Sequence, residues 1–208
     1  YSLAIAVVIL GSLYFGFRQL NPLSINQLKT KDTVIFPFGQ AVSLSGNANP
    51  QYLLSPITNS LNLLNQLTIE AWIRPSIPPL EQPVVYTIIR KNVANTLDSR
   101  VYSLAIQAKQ KSNSGNPIMD VTYMFSGLGG SCISSNTIQW STTNMSLSNF
   151  NSWKHLVGVR DGNSMYLFEN GTLIQSANSI SSATTGCDLS SPVTVGAKIR
   201  QDGSVTDQ

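Results

Sequence analysis

Hydrophobic positions fall into two regimes along this 208-residue chain. From Tyr1 to Phe17 they are continuous: YSLAIAVVILGSLYFGF carries no charge, and its clearly polar groups are two serines and two tyrosine hydroxyls. As a helix, Tyr1–Leu20 would span roughly 30 Å, about one hydrocarbon thickness. It is apolar all round, so it calls for burial in lipid or in protein. Asn21-Pro22 ends it, because proline disfavours the helical conformation at the preceding residue and cannot continue the hydrogen-bond ladder. Leu23 to Asp32 reads as a polar connector carrying Lys29 and Lys31.

From Val34 the pattern changes to short runs rich in Val, Ile, Tyr and Thr, punctuated by Gly, Pro, Asn and Ser. Strands are expected at Ala41–Leu44, Tyr52–Leu54, Leu67–Arg74, Tyr86–Arg90, Tyr102–Gln107, Asp120–Phe125, Ile138–Ser141, Trp153–Arg160, Met165–Glu169, Thr172–Ala177 and Val193–Ala197. Leu67, Ile69, Ala71 and Ile73 alternate with Thr68, Glu70 and Trp72, which gives that strand one apolar face. Asn170-Gly171 supplies the two positive-φ residues of a type I′ hairpin turn, and Asp161-Gly162 marks another turn just before it. Only Leu61–Leu64 suggests a helical turn after Pro22. Ser176–Gly186 reads as a long surface loop. Many short strands separated by turn signals predict an all-β antiparallel jelly-roll sandwich. The expected organisation is an N-terminal hydrophobic α-helix (1–22), a connector (23–33) and a β-sandwich (34–208).

Composition narrows the setting. Charged residues are 11%, well under the usual ~25%. Ser, Thr, Asn and Gln account for 73 residues, so polarity comes from neutral groups. That fits a secreted or cell-surface protein. A net charge of +3 and a pI near 8.9 do not argue for nucleic acid. Lys109 and Lys111, the densest basic pair, are expected on a solvated loop. A cleaved secretory signal is not visible, since no basic region precedes the apolar run and Arg18 follows it.

Two resemblances rest on particular residues. AVSLSG (Ala41–Gly46), Leu61-Asn62-Leu63, LTIEAWIRP (Leu67–Pro75), WKHLVGVRDG (Trp153–Gly162), MYLFENG (Met165–Gly171) and VTVG (Val193–Gly196) follow the order and spacing of laminin-G-like jelly rolls of the concanavalin A-like lectin/glucanase fold. AIAVVILGSLYFGFRQLNP resembles the membrane-core helix of archaeal type IV pilins with class III signal peptides, although no cleavage motif and no early Glu are present. The pilin resemblance implies a self-assembled helical homopolymer. Leu3, Ala4, Val7, Val8, Leu10, Gly11, Leu13, Tyr14, Phe15 and Phe17 would form its core. The subunit would be membrane-inserted only before assembly, and the jelly roll would face outward for adhesion to glycans or neighbouring cells. The laminin-G-like resemblance also implies a closing strand after Val193–Gly196. Three sources can supply it: further native chain, Asp32–Phe38, or a neighbouring copy; the first is the simplest.

Catalysis is weakly marked. Glucanases of this fold place carboxylates at alternate positions of one strand, and here Glu70 stands alone. His155, the one histidine, is expected to be structural. Asp161, Asp188, Asp202 and Asp207 lie in expected loops and form no metal cluster, and no cofactor is expected. Cys132 and Cys187 are expected to pair in preference to remaining two buried thiols. Asn144 and Asn170 head the two N-glycosylation sequons, Asn144 in a loop and Asn170 in the hairpin turn. Of the tryptophans, Trp72 and Trp153 read as core and Trp140 as the candidate ligand surface. The function expected is a filament subunit at the cell surface, not an enzyme; the alternative is a single-pass membrane-anchored, glycan-binding surface protein.

Overall fold

A computed structural model describes residues 2–8, 34–36, 39–45, 51–94, 99–196, 198–199 and 205–206. In chain order the strands are β1 (Ser2–Val8), β2 (Val34–Phe36), β3 (Gly39–Ser45), β4 (Leu53–Leu54), β5 (Gln66–Pro75), β6 (Pro83–Asn92), β7 (Arg100–Asn113), β8 (Asn116–Leu128), β9 (Ser135–Ser146), β10 (Lys154–Asp161), β11 (Ser164–Glu169), β12 (Thr172–Ala177), β13 (Val193–Val195), β14 (Lys198–Ile199) and β15 (Val205–Thr206). They form a seven-stranded sheet, β12-β11-β10-β5-β1-β3-β2, and a six-stranded sheet, β4-β13-β6-β7-β8-β9; β14 and β15 pair separately. All the strand pairings are antiparallel.

The two sheets bury one face each against the other. Leu67, Ile69, Ala71 and Ile73 of β5 supply part of that core, with Leu156 of β10 and Met165 and Leu167 of β11. Leu104, Ile106 and Ala108 of β7 and Val121, Tyr123 and Phe125 of β8 come from the other sheet. A single cluster joins them. The sheets approach closely at Gly158, where a β-carbon would lie 2.4 Å from the Phe125 ring. The Asn170-Gly171 turn has φ of 51° and 79°, the left-handed pair that its sequence predicts.

Three sequence expectations change. Ser2–Val8 is not helical. It lies as β1 between β3 and β5, with Ala4 opposite Ser43 on one side and Ala6 opposite Trp72 on the other. Ile5, Val7 and Val8 are β-branched and suit a strand, and a slot with a strand on each side pairs the segment's backbone along both edges. Leu3, Ala4, Val7 and Val8 are therefore strand residues; Leu10, Gly11, Leu13, Tyr14, Phe15 and Phe17 lie outside the described residues, as does the connector. Val34–Phe36, within the segment considered as a closing strand, forms a hairpin with β3 at the sheet edge. Lys109 and Lys111 are not on a loop. The β7–β8 hairpin extends to Asn113 and Asn116, and each lysine is ion-paired, Lys109 with Glu81 and Lys111 with Asp120.

Cys132 and Cys187 are bonded, 55 residues apart. Beside them the buried Arg160 clasps three backbone carbonyls, donating to Leu128 at 2.5 Å, Ser181 at 3.0 Å and Gly162 at 3.3 Å. Burial lowers the pKa of this guanidinium. Arg160 and the disulfide together tie the β8–β9 turn to the 178–192 loop.

Two stability changes are expected. Gly158→Ala should cost about 1–3 kcal/mol by overpacking, read as a lower midpoint in denaturant. Cys132→Ser with Cys187→Ser should remove about 4 kcal/mol of loop-closure stabilisation, a fall of roughly 10 °C in Tm for a domain of this size.

Candidate functional site: the outer face of the six-stranded sheet

Alternation sends every second residue of β6, β7 and β8 away from the core. On that outer face Arg90 is opposite Ser103, Ser103 opposite Ser126, and Ser126 opposite Thr137 of β9. Thr194 of β13 flanks Arg90 on the other side. Two residues along from Arg90, Asn92 faces Arg100 across the β6–β7 pairing. The resulting band is polar but shielded: Ser126 is 0% exposed, Thr194 3%, Ser103 4% and Arg90 5%.

Hydrogen bonds organise the band. Arg90 Nε donates to Asn92 Oδ1 at 2.6 Å. Arg100 Nη1 donates to Ser126 Oγ at 3.1 Å, and the Ser126 and Thr137 hydroxyls share a 2.9 Å bond. Thr122 and Ser141 make a similar 2.8 Å pair farther along the face. Arg100 Nε is buried with no partner. Glu81 and Asp120, at the far end, are engaged by Lys109 and Lys111, and the Lys109 contact holds the Glu81 carboxyl below its ordinary range. Guanidinium, amide and hydroxyl groups therefore converge on one face. Asn92, Arg100, Thr122, Thr137 and Ser141 are the members of this face that reach solvent, and guanidinium groups do not act as acid or base at ordinary pH.

The opposite outer face, on the seven-stranded sheet, carries a different constellation. His155 lies opposite Trp72 in the β5–β10 register, with Glu70 on the diagonal. His155 Nε2 is 2.8 Å from Glu70 Oε1, and its ring stacks on Trp72 at 4.8 Å. This pair, 85 residues apart in sequence, gives Glu70 and His155 a positioning contact with each other. A third cluster is internal. Glu169 Oε1 accepts from the Tyr123 hydroxyl at 2.8 Å and lies 3.2 Å from Lys154 Nζ. Trp140 stacks on Tyr123 at 5.8 Å and is half-buried against the core, so it offers less open surface than its polar sequence neighbours suggest.

Asn170 is exposed in its turn, and its side-chain oxygen accepts from the His155 amide at 2.9 Å. Asn144 is not in a loop: it is exposed on β9, at positive φ of 60°. Asp161 ends β10, and the Ser190 hydroxyl and amide both lower the pKa of the Asp188 carboxyl, the amide donating to it at 2.9 Å. Asp202 and Asp207 lie outside the described residues. Among the described residues no group of three candidate metal ligands forms. Arg90 and Arg100 went unremarked in the sequence because they sit in different strands; only the hairpin register brings them to one face.

Residues 47–207 match the Laminin G 3 family, described as the concanavalin A-like lectin/glucanases superfamily. No curated protein matches the chain. Among solved structures, one described as "Prominent members of the human gut microbiota express endo-acting O-glycanases to initiate mucin breakdown" is similar at 11% identity and a TM-score of 0.39, covering 98% of this chain and 68% of that one. An alginate lyase from Alteromonas sp. 272 is similar at 11% identity and a TM-score of 0.32, covering 73% and 69%. An endo-β-1,4-glucuronan lyase from the fungus Trichoderma reesei is similar at 12% identity and a TM-score of 0.37, covering 92% and 74%. These likenesses are distant, and nothing about substrate or reaction passes from those enzymes to this chain.

Burial raises the hydroxyl pKa of Tyr102 and Tyr123 far above the ordinary value, with Glu169 adding to the effect at Tyr123. The native state keeps those two protons while the unfolded chain releases them, so stability should fall as pH rises above about 10. Alkaline titration followed by tyrosinate absorbance should show both rings ionising only as the fold is lost; reversible ionisation of Tyr123 in the folded state at pH 11 would contradict its placement.

Proposed function

Because the chain belongs to the concanavalin A-like lectin/glucanases superfamily, we propose that it is a non-catalytic saccharide-binding module displayed outside the cell. The observation that carries this reading is the outer face of the six-stranded sheet, where Asn92, Arg100, Thr122, Thr137 and Ser141 reach solvent above a buried polar floor of Arg90, Ser103 and Ser126. Saccharides are recognised through many directional hydrogen bonds to hydroxyl and ring oxygens. A braced β-sheet can present such groups with little loss of side-chain freedom on binding. The disulfide supports an oxidising, extracellular setting. Glu70 and His155 lie on the other sheet, away from this band, and among the described residues no second acid is paired with them as glycoside hydrolysis would require.

The filament reading assigns Tyr1–Leu20 to a continuous core helix, and membrane anchoring makes the same demand. With Ser2–Val8 held in the sheet as β1, that stretch is not part of such a helix. Saccharide binding therefore takes precedence over a pilin-type role, and adhesion would be its consequence at the surface. Fibres in electron micrographs of the purified full chain would restore the filament reading.

Affinity electrophoresis through gels containing dextran, laminarin, xylan, mannan, alginate or dextran sulfate tests the binding reading. Retardation by at least one polysaccharide is expected, unchanged by Glu70→Gln and without release of shortened products. Free migration in every gel would overturn it.

A further inference from the structure

Asn144 and Asn170 head the same type of sequence motif, and the fold treats the two differently. We infer that Asn170 is an N-glycan acceptor in the folded protein and that Asn144 is not. This modification is independent of the saccharide-binding reading.

Asn170 and Gly171 are the two turn residues between β11 and β12, with φ of 51° and 79°. The β11–β12 ladder closes at Glu169 opposite Thr172, so the Asn-Gly backbone projects beyond it at the hairpin tip. Asn170, Gly171 and Thr172 are all exposed. Asn170 is also held in place. Its backbone amide donates to the His155 carbonyl at 2.8 Å, and its side-chain oxygen accepts from the His155 amide at 2.9 Å. A backbone N–H needs an acceptor, so this second contact settles which branch of the side-chain amide is oxygen. Nδ2, the atom that carries an N-glycan, is the other branch. Substitution there leaves the bond to His155 intact. Among the described residues no side-chain bond engages the Thr172 hydroxyl.

Asn144-Met145-Ser146 is built into a strand instead. Met145 and Ser146 pair with Met119 and Ile118 of β8, and Met145 packs against the core. The Ser146 hydroxyl caps the one-turn helix Leu147–Phe150, accepting from the Asn149 amide at 3.2 Å, and shares a 3.1 Å bond with the Ser148 hydroxyl. The motif is defined by the hydroxyl of its third residue. A transferase reading that hydroxyl here would have to break the cap and open the end of β9. At the hairpin tip it meets no such obstacle.

The co-reactant is a diphospholipid-linked oligosaccharide, and the catalyst is its transferase. Asn170 Nδ2 forms a bond to the anomeric carbon as the bond from that carbon to the diphosphate oxygen breaks. The lipid diphosphate leaves with the electron pair, and one amide proton passes to the transferase; nothing is oxidised or reduced. The β11–β12 hairpin belongs to the seven-stranded sheet, so a glycan here is carried by the sheet that does not bear the candidate saccharide face.

The test incubates the folded full chain with a single-subunit oligosaccharyltransferase and a diphospholipid-linked oligosaccharide. An Asn-Gly-Thr peptide serves as the control for transferase activity, and intact mass with peptide mapping is the readout. A gain of one glycan, mapped to Asn170, is expected. Thr172→Ala should abolish the gain and Thr172→Ser should restore it, with thermal midpoints showing that both variants fold. Ser146→Ala should leave the gain unchanged. An unmodified full chain beside a modified control peptide would overturn the inference. So would a glycan at Asn144, alone or together with one at Asn170. In each of these cases the saccharide-binding reading would stand.

Discussion

Everything in this molecule depends on two sheets burying one face each against the other. A strand has two faces, and the core claims one of them. Leu67, Ile69, Ala71 and Ile73 commit β5 to the interior, and Val121, Tyr123 and Phe125 commit β8. The close approach of Gly158 to Phe125 shows how little space is left between the layers. With the inner faces filled, chemistry is confined to the two outer faces and the loop ends.

The outer faces differ because their strands carry different residues at the remaining alternate positions. The seven-stranded sheet presents Trp72, His155 and Glu70, which satisfy one another through a stacked pair and a 2.8 Å contact. The six-stranded sheet presents arginines among short hydroxyl side chains, and there a guanidinium nitrogen stays unpaired. A site whose groups are mutually satisfied has little left to offer a ligand. The outer face of the six-stranded sheet is the one that the proposed saccharide binding uses.

Loop order supports that face from below. Arg160 is buried between the layers, and its three carbonyl acceptors belong to separate segments: the end of β8, the β10–β11 turn and the 178–192 loop. The Cys132–Cys187 bond closes the same end. Ser/Thr-rich loops with little apolar mass would otherwise be held by few buried contacts, so a cation bonded to carbonyls and a covalent link supply the order that hydrophobic packing does not. The β8–β9 turn held this way leads directly into Thr137 and the edge of the candidate site.

Local pattern determined much of this architecture. The alternation in Leu67–Ile73 and the Asn170-Gly171 turn follow from period-two sterics and positive-φ tolerance, which need only neighbouring residues. The sandwich class and most strand positions were legible for the same reason. Tertiary structure decided what depends on register between distant strands. It set Glu70 beside His155, moved Lys109 and Lys111 from an expected loop onto a hairpin, and brought Arg90 and Arg100 to one face with Ser126 and Thr137. It also decided the fate of Ser2–Val8. An uncharged apolar run satisfies its backbone equally well as a helix or as a strand between two others, and composition cannot choose between them. The slot between β3 and β5 makes that choice, because it pairs the segment's backbone along both edges with strands from elsewhere in the chain.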